Sequence, residues 1–230
     1  MKKNIIITGA AGNLGKACVE KFIKEGYSVI ATVSPGKKLA FVAESGVDII
    51  EVDLADENKT EFAINKLISK YKIIDAGLFL VGGFAVGGIK ETDGNQLKKL
   101  YALNFETAYY AVRPIFLHML SQAHAGRLVL VGARPALEAH SGKDLLAYSL
   151  SKSLLFKLAE YLNAEGAEKN IVTSVVVPGV IDTPQNRQAI PEANFSDWVT
   201  PEAIAEAMYF LVSSDGNQLR DPVLKVYGNA

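Results

Sequence analysis

The chain has 230 residues, of which 49% are hydrophobic and 21% charged, with a net charge of −1. That length suits one large domain with an ample core, and the near-neutral balance offers no basic footprint for nucleic acid. No apolar run approaches the roughly 20 residues that span a bilayer. Ile5–Ile7, behind Lys2 and Lys3, is too short for a secretory h-region, so a cytoplasmic protein without nucleic-acid or membrane partners is expected. The lone Cys18 lies at helical spacing from Leu14 and Phe22 and reads as a small core thiol.

The first short apolar run, Asn4–Thr8, leads straight into Thr8-Gly9-Ala10-Ala11-Gly12-Asn13-Leu14-Gly15 and then into a helical pattern over Leu14–Glu25. A glycine loop between a strand and a helix lets a phosphate approach where a Cβ would collide, and the helix N-terminus favours its negative charge. Gly9, Gly12, Asn13, Leu14 and Gly15 are therefore the candidate cradle for a dinucleotide pyrophosphate. A second strand, Ser28–Val33, ends in Ser34-Pro35-Gly36-Lys37-Lys38. An acidic residue at that point would bind a ribose 2′-OH and disfavour a 2′-phosphate. A hydroxyl at Ser34 and two lysines stand there instead, which leans toward NADP over NAD. After the third strand, Asp48–Val52, Asp53 is placed to meet the adenine edge, with Leu54 beside it.

A helix over Glu57–Tyr71 and a strand over Ile73–Val81 precede Gly82-Gly83. Asn95–Leu120 reads as a long helix and Arg127–Val131 as the fifth strand. Leu146–Glu165 follows as a helix, then the strand Ile171–Val177. Thr200-Pro201-Glu202 opens a helix over Pro201–Val212, with Thr as cap and Pro at the first helical position. Val223–Tyr227 is the last strand. Brief Val/Ile-rich runs alternating with helices imply a single doubly wound α/β Rossmann domain over 1–230, with a seven-stranded, mostly parallel sheet flanked by helices. Helices 95–120 and 146–165 are apolar on more than one side and need a second burial partner. A homodimer or homotetramer through these two helices is expected.

Tyr148-Ser149-Leu150-Ser151-Lys152 puts a phenol and an ammonium one helical turn apart on one face. A neighbouring ammonium favours the phenolate and lowers a tyrosine pKa, so that it can pass a proton near neutral pH. The spacing is common by chance. Its position on the helix after the fifth strand is what matters. His118, His124 and His140 show no metal or triad spacing, and no metal site is expected.

The glycine loop, Asp53, Asn104, Tyr148, Lys152 and Pro178-Gly179-Val180-Ile181-Asp182-Thr183 stand in the order of the short-chain dehydrogenases/reductases, which the chain resembles over nearly its whole length. The resemblance implies a hydride-transferring reductase of a small molecule. Tyr148 would be the general acid, Lys152 would lower its pKa and bind the nicotinamide ribose, and Asn104 would hold a water in the proton relay. Gly82 would border the cofactor. Pro178, Gly179, Val180, Ile181 and Thr183 would hold the nicotinamide carboxamide, with a substrate lid around 184–200. Trp198, Phe195 and Arg187 fall in that lid, and Arg187 is placed to orient a polar or anionic substrate.

Two features depart from the family. The stretch after the fourth strand reads Phe79-Leu80-Val81-Gly82-Gly83 in place of the usual Asn-Asn-Ala-Gly, and Ala133 occupies the place of the catalytic serine after strand five. Ser141 is a weak candidate to replace that hydroxyl. Quinonoid dihydropteridine reductases share this alanine, the Gly-Gly and the segment Asp182–Arg187 with Ile190–Trp198. A quinonoid ring conjugated to nitrogen is a strong hydride acceptor and needs less help from a hydroxyl donor. The alternatives are a general carbonyl or quinone reductase of the same family, and a non-catalytic NADP-binding sensor.

Overall fold

A computed structural model describes residues 2–39 and 46–229. Strands β1 (Asn4–Thr8), β2 (Ser28–Val33), β3 (Asp48–Glu51), β4 (Ala76–Phe79), β5 (Gly126–Val131), β6 (Ile171–Pro178) and β7 (Val223–Val226) form a seven-stranded sheet ordered β3-β2-β1-β4-β5-β6-β7. Every pairing among the described residues is parallel, so the expected mostly parallel sheet is wholly parallel. Parallel pairing requires crossovers, and the helices supply them: α1 (Asn13–Lys24), α2 (Glu57–Tyr71), α3 (Gly94–Tyr101), α4 (Thr107–Ser121), the short α5 (Arg134–Leu137) and α6 (Ala139–Gly142), α7 (Leu146–Gly166), α8 (Pro184–Ala189) and α9 (Pro201–Val212).

The strand pleat sends alternate side chains to opposite faces. Ile5 and Ile7 enter a core beneath α1 and α9 that also holds Phe22, Ile204 and Met208. Ile6 enters a second core with Ile64, Ile115, Met119 and Leu155 from α2, α4 and α7. Ile5, Ile6 and Ile7 are fully buried, and each such side chain contributes about 1.5–3 kcal/mol relative to exposure. Cys18 is the core thiol its spacing suggested, 3.7 Å from the Met208 sulfur, with burial pushing its pKa up to about 12.

Thr200 caps α9 with its side chain, accepting from the Ala203 N–H at 3.2 Å, ahead of Pro201 at the first helical position. The expected helix 95–120 is broken. Between α3 and α4 the chain makes a π-helical turn over Ala102–Glu106, an insertion of the kind that frequently marks functional sites. Several apolar residues of α3, α4 and α7 remain uncovered by this chain, among them Tyr101, Leu117, Leu150, Leu154 and Tyr161. Among the described residues, no helix is long and apolar enough to cross a membrane.

Candidate active site

The strand order reverses between β1 and β4, so their carboxyl ends diverge into a crevice, the place where open parallel sheets bind ligands. The Thr8 hydroxyl ties the two strand ends together, donating to the Leu78 carbonyl at 3.2 Å and accepting the Leu80 N–H at 3.0 Å. The glycine loop leaves β1 here. Gly9 turns with φ +66°, in the left-handed region. A Cβ on Gly15 would lie 2.3 Å from the Gly9 oxygen and 2.7 Å from Ala10 Cα, so only glycine lets α1 pack this closely on the loop. Gly12 caps α1 without a side-chain acceptor, and the helix carries no acid in its first turn. Its amino end is therefore free to receive an anionic ligand. Asn13, half-buried on that first turn, donates to the Gln185 side chain at 2.8 Å and thereby ties the loop to α8.

Beside the loop, Gly9, Val33, Ser34, Asp53, Leu54 and Val81 line one cleft. Asp53 is exposed there and accepts the Ala55 N–H at 3.1 Å. Ser34, Lys37 and Lys38 are exposed, and the Lys37 N–H closes a turn on the Ser34 carbonyl at 3.0 Å. These features fit a dinucleotide: a cradle that side chains would fill, a helix start without a side-chain cap and a cleft beside them lined by Ser34, Asp53 and Leu54.

Tyr148 and Lys152 project from one face of α7. The lysine is 5% exposed and donates to the Val131 carbonyl at the end of β5, at 2.8 Å. Burial pulls its pKa down to about 8. Its other two N–H bonds have no partner among the described residues, which suits a ligand hydroxyl. Tyr148 is half-buried, with the Phe84 ring edge-on at 5.1 Å between centroids. Burial pushes its pKa up to about 12. This reverses the expected lowering, because in this arrangement the ammonium is engaged with Val131 and desolvation of the phenol dominates.

Asn104 sits in the π-helical turn, fully buried. Its Oδ1 accepts the Gly83 N–H at 2.8 Å and its Nδ2 donates to Ser151 Oγ at 2.9 Å. The side chain thus joins the loop after β4 to α7, with one amide N–H and one Oδ1 lone pair left over. Gly82 lies between the two functional side chains: a Cβ there would fall 2.8 Å from Asn104 Oδ1 and 3.1 Å from Lys152 Nζ. Beyond β6, the Gly179 N–H donates to Val226 O at 2.8 Å. The Val180 and Ile181 carbonyls accept from the Val199 N–H and from Asn186 Nδ2, at 2.9 and 2.8 Å. Thr183 caps α8, accepting the Asn186 N–H at 3.2 Å. Pro178 ends β6, so the segment expected to meet the nicotinamide leaves the carboxyl edge of the sheet.

Ala133 follows β5 and is 3% exposed, so no hydroxyl stands where the family places its serine. Ser141 does not replace it: its hydroxyl is exposed and donates to the Glu138 carbonyl at 2.9 Å. Arg187 is also spoken for. It grips Asp182 through two hydrogen bonds of 2.6 and 2.7 Å and lies over Phe195, 4.7 Å from the ring centroid. Phe195 in turn packs against Trp198 at 4.8 Å. Sequence reasoning missed Phe84 and Ser151, although both adjoin motifs it identified. Among the described residues, no group of three or more His, Cys, Asp or Glu side chains is arranged to hold a metal ion.

The family model for short chain dehydrogenase matches residues 3–194. The chain belongs to the short chain dehydrogenase family. Among its relatives, the 2-(R)-hydroxypropyl-CoM dehydrogenase of Xanthobacter autotrophicus is 25% identical over 99% of this chain and 98% of the relative. The dihydropteridine reductase of Dictyostelium discoideum is 26% identical over 98% of this chain and 94% of the relative. The solved structure of ElxO with NADP bound superposes with a TM-score of 0.90 at 25% identity, covering 99% of this chain and 98% of that one. This member of the family is an NAD(P)-dependent dehydrogenase/reductase.

Proposed function

We propose that the protein is an NADP-preferring reductase of a conjugated imine resembling a quinonoid dihydropteridine, with Tyr148 as proton donor, Lys152 as its cationic neighbour and Asn104 in the relay. The observation that carries this reading is Ala133: the Tyr148/Lys152 pair is intact, yet position 133 after β5 offers it no hydroxyl. A ketone oxygen needs a donor as negative charge develops on it. A ring whose accepting carbon is already conjugated to nitrogen needs only a proton, which one phenol supplies. The 26% identity to a dihydropteridine reductase over nearly the full length of both chains supports the same reading.

The bound dinucleotide would supply the hydride. Gly9, Gly12, Asn13, Leu14 and Gly15 would hold its pyrophosphate, Asp53 and Leu54 its adenine, and Lys152 with Gly82 its nicotinamide ribose. Pro178, Gly179, Val180, Ile181 and Thr183 would enclose the carboxamide. Ser34, Lys37 and Lys38, with no carboxylate among them, support a 2′-phosphate. At rest the phenol keeps its proton, since burial holds its pKa near 12. The Lys152 ammonium, with two donors to spare, would stabilise the phenolate left after proton transfer. Phe84, edge-on to Tyr148 and 63% exposed, offers an apolar wall to a planar ring. Arg187, paired with Asp182, closes the lid rather than binding a substrate anion.

The same reading takes residues 1–230 as one Rossmann domain with a lid at 184–200, working in the cytoplasm. It takes the uncovered apolar residues of α3, α4 and α7 as the contact of a homodimer or homotetramer. The test is oxidation of NADPH and NADH in the presence of quinonoid dihydropterin, followed by absorbance. Turnover with a preference for NADPH, lost in Tyr148→Phe, is expected. A protein that binds both dinucleotides and turns over neither refutes it. Reduction of small ketones or quinones alone would replace the substrate assignment and leave the Tyr148 chemistry standing.

A further inference from the structure

We infer that Ser151 is a positioning residue for Tyr148, the hinge-pin of a hydrogen-bond chain that sets the phenol against the loop after β4. The chain has three links. The Gly83 N–H donates to Asn104 Oδ1 at 2.8 Å, Asn104 Nδ2 donates to Ser151 Oγ at 2.9 Å, and the Ser151 hydroxyl donates to the Tyr148 carbonyl at 2.8 Å. It joins three segments distant in sequence: the loop after β4, the π-helical turn and the catalytic helix α7. Ser151 is 3% exposed and Asn104 is fully buried, so neither bond is shared with solvent.

Hydrogen bonding to the carbonyl three residues back is common for a helical serine and by itself positions nothing. Ser153 shows this on the same helix: its exposed hydroxyl donates to the Leu150 carbonyl at 2.7 Å and reaches no other segment. What distinguishes Ser151 is that it also accepts from Asn104. Ala133 supplies no hydroxyl after β5, and among the described residues no hydrogen bond is made by the Tyr148 hydroxyl. Its orientation therefore depends on how α7 is held from behind and on the Phe84 ring at 5.1 Å.

The inference rests on Tyr148 as proton donor, so Tyr148→Phe is the control. Ser151→Ala leaves the buried Asn104 amide without an acceptor, a defect comparable in size to a tenfold rate factor. The expected result is a kcat about tenfold lower, with the dinucleotide KM changed by less than kcat because only Gly82 of the cofactor-binding residues lies in the loosened loop. Hydrogen exchange of the segment 82–84 should rise about tenfold, since Asn104 loses its anchor. Ser151→Thr restores the hydroxyl and should recover both. Ser153→Ala should change neither quantity.

Unchanged kcat in Ser151→Ala, unchanged exchange at 82–84, or a joint loss of kcat and dinucleotide affinity that Ser151→Thr does not repair would each overturn the inference. If Tyr148→Phe keeps full activity, the proton-donor assignment itself falls. If Tyr148→Phe is dead and Ser151→Ala is not impaired, only the positioning role falls.

Discussion

Lys152 is a buried ammonium with no carboxylate partner, and replacing it should make the cofactor-free protein more stable. Its pKa falls from the ordinary 10.5 to about 8 through burial. That gap corresponds to about 3 kcal/mol against the folded state wherever the lysine is protonated in both states, below about pH 8. The sign follows from proton counts. Between about pH 8 and 10.5 the unfolded chain still binds the proton while the folded chain has released it, so stability rises with pH through that window and the cost fades. Lys152→Met keeps the length of the side chain and removes the charge. It also leaves the Val131 carbonyl without its 2.8 Å donor, which offsets about 1 kcal/mol of the gain. The variant should therefore be about 2 kcal/mol more stable than the parent at pH 7, with the advantage largely gone at pH 10. Tyr148 contributes in the opposite sense, since its raised pKa stabilises the fold below pH 10 and loses that effect as pH rises toward 12. It is present in both proteins and cancels in the difference. Urea unfolding followed by far-ultraviolet circular dichroism at the two pH values, with equal m-values, measures the effect. A variant no more stable at pH 7, or an advantage that stays constant to pH 10, would refute the reasoning.

Tyr148→Phe removes the phenol one helical turn from Lys152 and should lower kcat by about 10²–10⁴, with dinucleotide affinity unchanged in a fluorescence titration. Gly15→Ala sets a methyl 2.3 Å from the Gly9 oxygen, against backbone that cannot swing aside. It should cost about 1–3 kcal/mol in denaturant midpoint and abolish dinucleotide binding in calorimetry. Replacing Lys37 and Lys38 together by Ala should weaken NADPH about tenfold, the scale of losing one charge-assisted contact. NADH should be untouched, and equal losses for both would show that these lysines do not read the 2′-phosphate.

Much of this molecule was legible because its signals are local. Glu57–Tyr71 begins after an Asp56 cap and ends where its expected bounds lay, and Thr200-Pro201 marks the start of α9 through cap chemistry confined to a few residues. The glycine loop is readable because glycine at Gly9 and Gly15 answers a steric demand of its own turn. The break at Ala102–Glu106 was not readable. Asn104 is held there by partners 21 and 47 residues away in sequence, and no periodicity in the window 95–120 carries that information. The capture of Arg187 by Asp182 and Phe195 was missed although both lie within eight residues, because the conformation of the irregular segment between them sets it.

The sequence by itself determined the alternation of strand and helix, the cradle at Gly9–Gly15, the Tyr148/Lys152 pair and the absence of a hydroxyl at Ala133. Each of these is written in side-chain type and short-range spacing. Only the tertiary structure decided how those groups are charged and held. Lys152 meets the Val131 carbonyl rather than the phenol, Tyr148 is raised rather than lowered, and Ser151 links the catalytic helix to Asn104. Burial and long-range hydrogen bonds set these properties, and both arise only when distant segments are packed against one another.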